Sequence, residues 1–181
     1  MTFFALLSRP PQPGGTYNEP RTGSLDLYSP RFVKGLGASK VGLCPICVEP
    51  RARGGENKQV WLSTKFSAFN YHMQYAHGIC PSDGLPFSPP LEFRVVASPA
   101  RTAALKNRKN MKTHIQQGLC HCCNQWINVE GIKDVETKVK ELNWWKHAAS
   151  CHRGSKIAGE TDVFVQDHIF MQLTASNRSS E

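Results

Sequence analysis

Two Cys-x-x-Cys pairs, each followed downstream by two histidines, are the residues of this chain whose types and spacing could do chemistry. The first set is Cys44, Cys47, His72 and His77; the second is Cys120, Cys123, His147 and His152. Thiolate sulfur and imidazole nitrogen are the donors that structural zinc takes, four at a time in a tetrahedron. A Cys-x-x-Cys turn supplies two of them and two His near the end of a helix supply the rest. The pattern therefore points to two Zn(2+) per chain. A disulfide framework would have no use for the histidines. A catalytic zinc keeps one position open, so two complete sets speak for structural sites. No nucleophile–base pair, Gly-rich phosphate loop or pair of acidic residues accompanies them, and no enzyme and no small-molecule substrate are expected.

The two sets belong to an internal repeat. Gly42-Leu43-Cys44-x-x-Cys47 returns 76 positions on as Gly118-Leu119-Cys120-x-x-Cys123, and His72 and His77 return 75 positions on as His147 and His152. Two copies of one structural unit are expected. The spacings are Cys-x2-Cys-x24-His-x4-His and Cys-x2-Cys-x23-His-x4-His, where a common Cys2His2 finger has about 12 residues in the middle. Phe69 and Trp144 each stand three residues before the first His of their set, the place of the apolar helix residue that packs under the metal in a ββα finger. The eighth ligand is the open one. Cys151, four after His147, competes with His152, five after; the repeat favours His152, since His72 and His77 have the same step. The repeat also disfavours Cys122. Cys80, His114, His121 and His168 have no companions at ligand spacing and are expected to be buried or solvent-facing without a metal role.

The elements that must position these ligands are legible in outline. Gly-flanked turns carry the Cys pairs. A helix with Ser63 as N-cap is expected before His72, with Gly78 as its stop. A second is expected over 135–150, where Glu136, Lys138, Lys140, Glu141 and Leu142 are good helix formers. The stretch 101–117 also has helical composition. The fold class expected is small α+β and zinc-stabilised, with two related Cys2His2-like ββα units carrying long insertions and packed into one domain. Residues 1–26, with Pro10-Pro11-Gln12-Pro13-Gly14-Gly15, read as a disordered lead. The double zinc-binding domain is expected over 27–153, with unit one at 40–80, a basic connection at 81–117 and unit two at 118–153. Residues 154–181 form an extension with a frayed end. Trp61, Trp126 and Trp144 are expected in the miniature cores, and Trp145 between the units.

Composition agrees with a fold that needs a staple. Of 181 residues, 12 are Pro and 14 are Gly, and only 40% are apolar, which argues against one large core. The opening apolar run is five residues long, so no secretory leader or membrane span is read, and an intracellular setting follows. The net charge of +8, from 22 Lys and Arg against 14 Asp and Glu, favours polyanionic partners.

Longer runs carry a resemblance. Leu27-Tyr28-Ser29-Pro30-Arg31-Phe32-Val33-Lys34-Gly35, Lys40-Val41-Gly42-Leu43-Cys44-Pro45-Ile46-Cys47, Trp61-Leu62, Tyr71-His72, His77-Gly78-Ile79 and Pro86-Phe87 are joined by Gly118-Leu119-Cys120, Trp126-Ile127 and Trp144-Trp145-Lys146-His147 through Cys151-His152. Together they resemble the C-terminal domain of the fungal zinc-finger transcription regulators typified by the smut-fungus regulator of ustilagic acid biosynthesis. The resemblance covers roughly residues 25–153. It implies a nuclear, sequence-specific DNA-binding domain of a transcription regulator with double-stranded DNA as partner.

Counting back from the first His as in known fingers puts Lys65, Ala68 and Tyr71 of unit one, and Lys140, Asn143 and Lys146 of unit two, at base-facing positions. Arg108, Lys109 and Lys112 of the basic connection are candidate phosphate contacts. The alternative, from another class, is a zinc-stabilised interaction module that recruits transcription or chromatin proteins without touching DNA. A single basic face supports the first reading, and scattered charge beside an exposed apolar patch supports the second.

Overall fold

A computed structural model describes residues 13–23, 25–98, 110–154 and 156–158. The described residues form a small α+β structure with two antiparallel sheets and two α-helices. The first sheet runs β1 (Thr16–Tyr17), β2 (Phe32–Lys34), β3 (Val41–Leu43) and β4 (Trp61–Ser63), in that order, and is followed by α1 (Ala68–Ala76). The second runs β5 (Phe93–Ala97), β6 (His114–Leu119) and β7 (Trp126–Asn128), followed by α2 (Leu142–Cys151).

The repeat reaches one strand further upstream than the Cys spacing shows. Val33 pairs with Gly42 and Gly42 with Leu62; Phe93 pairs with Gly118 and Gly118 with Ile127. The same register thus places β2–β3–β4 and β5–β6–β7 in correspondence. Pro30 and Pro90 complete it. A Cβ on Gly42 would come within 2.7 Å of Pro30, and one on Gly118 within 2.5 Å of Pro90, so each glycine admits a proline ring that any side chain would expel. The upstream strands lie 60 positions apart and the Cys pairs 76. That change of offset hides the first strand from a search at one period.

Several local expectations are corrected. Helix α1 begins at Ala68, not behind Ser63; Ser63 ends β4, and its hydroxyl accepts the Phe66 N–H at 3.4 Å in the turn leading to the helix. Helix α2 begins at Leu142 rather than 135. Val135, Glu136 and Lys138 are exposed and offer no apolar face to fold a helix against. Residues 114–117, expected as helix, form most of β6, where Ile115 is buried between exposed His114 and Gln116 with the period of a strand; residues 101–109 lie outside the described residues. Within the expected lead, Thr16 and Tyr17 pair with Val33 and Phe32. Asp26 is buried, and its carboxylate accepts the N–H groups of Arg21, Tyr28 and Ser29 at 2.8–2.9 Å. Burial raises the pKa of that carboxyl, but the hydrogen bonds from Ser29, Tyr28 and Arg21 outweigh it and hold the group below its ordinary value.

Three small cores replace a single large one. Phe69, Met73 and Ile79 pack with Cys44 and Cys47; Trp144 and Val129 pack with Cys120. Between them, Cys80, Phe87 and Ala148 join the chain after α1 to α2, with Trp145 against them. The Trp145 ring stacks on Phe87 at 6.4 Å between centroids, and the Trp144 indole N–H donates to the Ser88 carbonyl at 3.2 Å. The two units therefore share packed surface. Lys138 adds an exposed ion pair to Glu56 of unit one at 3.2 Å, a contact of small energetic weight.

Candidate metal centres

In unit one the turn after β3 places Cys44 and Cys47 under the end of α1. The Cys47 N–H donates to the Cys44 sulfur at 3.3 Å, which fixes the turn. His72 lies one turn beyond Phe69 on the helix, and His77 is its C-cap residue. Both imidazoles bring Nε2 to the thiols. His77 Nε2 lies 3.4 Å from Cys44 Sγ and 3.3 Å from Cys47 Sγ; His72 Nε2 lies 3.4 Å from Cys47 Sγ; the two nitrogens are 3.1 Å apart. Burial lowers the pKa of both rings, that of His77 to about 4 with help from the neighbouring His72, so both are neutral near pH 7. Burial pushes the Cys44 thiol up to about 12 and raises Cys47 as well. Two neutral imidazoles and two buried thiols, none of them bridged, could hold a metal ion.

In unit two the group closes on Cys151 rather than His152. The ligand atoms of Cys120, Cys123, His147 and Cys151 lie within 4.8 Å of one another, with Cys123 Sγ 3.7 Å from His147 Nε2 and Cys120 Sγ 4.0 Å from Cys151 Sγ. The helix ends are alike. His77 and His152 are both C-caps, with φ, ψ of −118°, −9° and −117°, −11°. The difference is one residue earlier. Ala76 ends α1 and carries no donor, whereas Cys151 ends α2 and, four residues after His147, falls on the same helix face. The thiol therefore stands in this four-residue group, and His152, which the repeat favours, stands outside it. His152 is buried instead beside His121, ring centroids 4.7 Å apart. With Cys120 these two form a second cluster of potential donors, so His121 has a companion that its sequence neighbours do not reveal. Burial pushes the Cys151 thiol up to about 12. For Cys120, burial is outweighed by hydrogen bonds from Cys123, Cys122 and Cys151, and the net direction is down.

Phe69 and Trp144 are both buried against the thiols of their own units. Cys122 is exposed and Cys80 buried, each outside both four-residue groups. The residues expected to contact DNA are not gathered by any one element. Lys65 is exposed before α1, with its ammonium 5.5 Å from the Phe66 ring. Lys140 and Lys146 are exposed and Asn143 half-buried, at the start of α2 and along it. Lys112 pairs with Glu130. Arg108 and Lys109 lie outside the described residues. Sequence reasoning missed one paired feature: Lys34 sits over Trp61 at 3.8 Å and Arg94 over Trp126 at 4.1 Å, at equivalent register positions of the two sheets. The signal for it was Pro30-x-x-x-Lys34 against Pro90-x-x-x-Arg94.

Fold and clusters together define a small α+β domain, built twice on one plan, with Cys/His groups that could each hold a metal ion. Residues 22–152 match the family described as transcription regulator Rua1, C-terminal, and the chain belongs to that family. It is 45% identical over 129 residues to the meiotic expression up-regulated protein 26 of Schizosaccharomyces pombe, covering 70% of this chain and 34% of that protein. It is 36% identical over 128 residues to the transcription regulator rua1 of Mycosarcoma maydis, covering 71% of this chain and 14% of that protein. The chain thus spans about a third and about a seventh of the length of these relatives. No solved structure matches it. Among the described residues no helix is long and apolar enough to cross a membrane.

Proposed function

We propose that this chain is a zinc-dependent, sequence-specific DNA-binding domain of a nuclear transcription regulator, holding two zinc ions as structural clasps and catalysing no reaction. The observation that carries the metal is the four-donor group repeated in both units. Around a tetrahedral zinc, with bonds of about 2.0–2.1 Å to nitrogen and about 2.3 Å to sulfur, donor atoms stand roughly 3.3–3.8 Å apart. The separations of 3.1–3.4 Å in unit one and 3.7–4.0 Å in unit two are close to that span. The proposed ligands are Cys44, Cys47, His72 and His77, and Cys120, Cys123, His147 and Cys151. Each hairpin followed by a helix is then a ββα unit with one extra strand before it in unit two and two in unit one. The family, that of a transcription regulator, and the net charge of +8 support DNA as the partner. Lys65, Lys140, Asn143 and Lys146 supply contacts to the duplex, and Arg108, Lys109 and Lys112 contacts to phosphate.

Selection of binding sequences from random duplex DNA by the purified chain tests this reading: enrichment of one motif, lost on chelation, is expected. A second reading has its own observation. Phe66 and Tyr71 are 66% and 56% exposed, and Tyr71 stacks on Tyr75 at 5.7 Å along the outward face of α1. That aromatic surface suits a transcription or chromatin protein, and a chain that enriches no sequence at low salt is explained by it.

A further inference from the structure

The row Arg94–Gln117–Asn128 crosses the second sheet from edge to edge. Arg94 is the register partner of Gln117, and Gln117 of Asn128, so the three side chains share one face. It is the face turned away from α2, because Gly118 and Ile127, on the opposite face, lie against Trp144 and its core. The Arg94 Nε–H donates to Gln117 Oε1 at 2.8 Å, and Gln117 Nε2 donates to Asn128 Oδ1 at 2.8 Å. The guanidinium rests on Trp126. Gln117 thus commits both ends of its amide to its neighbours. Arg94 keeps its terminal N–H groups, and Asn128 its amide N–H groups, for a ligand.

Arg and Asn are the side chains that read guanine and adenine edges in the major groove, which admits β-strands as well as a helix. Two strand spacings separate Arg94 from Asn128, about 9–10 Å, or about three base-pair steps at roughly 3.4 Å each. The sister unit supplies an internal comparison. Its equivalent row is Lys34, Val41 and Ser63. The cation over the indole is kept, but the amide pair is not, while the proline, glycine, cysteine and tryptophan positions agree in both.

We infer that the outer face of the second sheet, through Arg94 and Asn128 with Gln117 as their positioning residue, reads bases in the major groove of duplex DNA. Lys34 over Trp61 holds phosphate, and Lys146 of α2, with Lys140 just before the helix, adds phosphate contacts without sequence preference. The inference rests on the DNA-binding reading above.

The test is sequence selection from random duplexes with the full chain, followed by titration of the selected and a scrambled duplex. Arg94→Lys keeps the cation and loses the planar fork; it should weaken binding to the selected duplex about tenfold to a hundredfold, relax one base position and leave the scrambled duplex unchanged. Gln117→Ala should relax the preference and lower affinity less. Lys146→Ala should weaken both duplexes alike. Zinc content and the circular dichroism spectrum, unchanged in all three, separate these effects from unfolding. Retained base preference in Arg94→Lys and Gln117→Ala, with preference lost in Asn143→Ala or Lys146→Ala, would place the reading on α2 and overturn the inference. A wild-type chain that selects no sequence overturns the DNA-binding reading itself, and the inference with it.

Discussion

The indole of Trp145 lies against the backbone of Gly78, the residue after His77, so closely that a Cβ there would stand 2.8 Å from the ring. Gly78 also has φ of +66°, a region that disfavours any side chain. One contact therefore ties the last histidine of the first cluster to the helix that carries the second. It is the point at which two clasps become one body.

Gly78→Ala is expected to destabilise the whole domain by roughly 1–3 kcal/mol, from left-handed backbone strain and the displaced indole together. Urea unfolding followed by tryptophan fluorescence checks this, with a single transition shifted to lower urea. A variant as stable as wild type would show that the packing at Trp145 yields freely.

Asp26→Ala removes the acceptor of the N–H groups of Arg21, Tyr28 and Ser29, of which that of Ser29 is buried. A loss of about 1–3 kcal/mol is expected, because the buried Ser29 N–H is left without its acceptor. Asp26→Asn keeps one acceptor oxygen and should lose less. Chemical denaturation of both variants gives the order, and the reverse order would contradict the account.

Acid should loosen the metal-free protein in a defined window. His77 has its pKa lowered from about 6.5 to about 4, and His72 is lowered too. A folded-state value below the unfolded one means that the unfolded chain binds more protons between the two. The stability is full above about pH 6.5 and falls as pH drops toward 4. Protons also compete with metal for the same nitrogens, so loss of a bound ion runs in the same direction. Unfolding free energy measured between pH 7.5 and 4, with and without chelator, should decline on acidification in both series. A flat profile in the chelated series would contradict the burial of these rings.

How much of this was legible beforehand follows from what sets each feature. The Cys and His sets are local in sequence and repeat, so seven of the eight donors in the two four-residue groups were visible in the spacing. Phe69 and Trp144 were visible through their i to i+3 step to a histidine. The eighth donor turns on whether residue 151 or residue 152 faces the group; the repeat favours 152 and leaves Cys151 as the alternative, because Ala76 has no donor to compare with Cys151. The three strands that the two units share were hidden because the upstream strands keep a 60-residue offset and the cysteines a 76-residue one. Helix at 114–117 was misread because composition favoured it, whereas pairing to β5 and β7 decides. The Arg94–Gln117–Asn128 row joins three segments and exists only once the strands are in register.

The central claim is that two four-donor groups, the second closed by Cys151, each hold one zinc ion. Native mass spectrometry of the purified chain tests it most directly. Two zincs are expected in the wild-type chain and in His152→Ala, and one in Cys151→Ala. A wild-type chain with one zinc or none, or the loss of one ion from His152→Ala with two kept in Cys151→Ala, would contradict it.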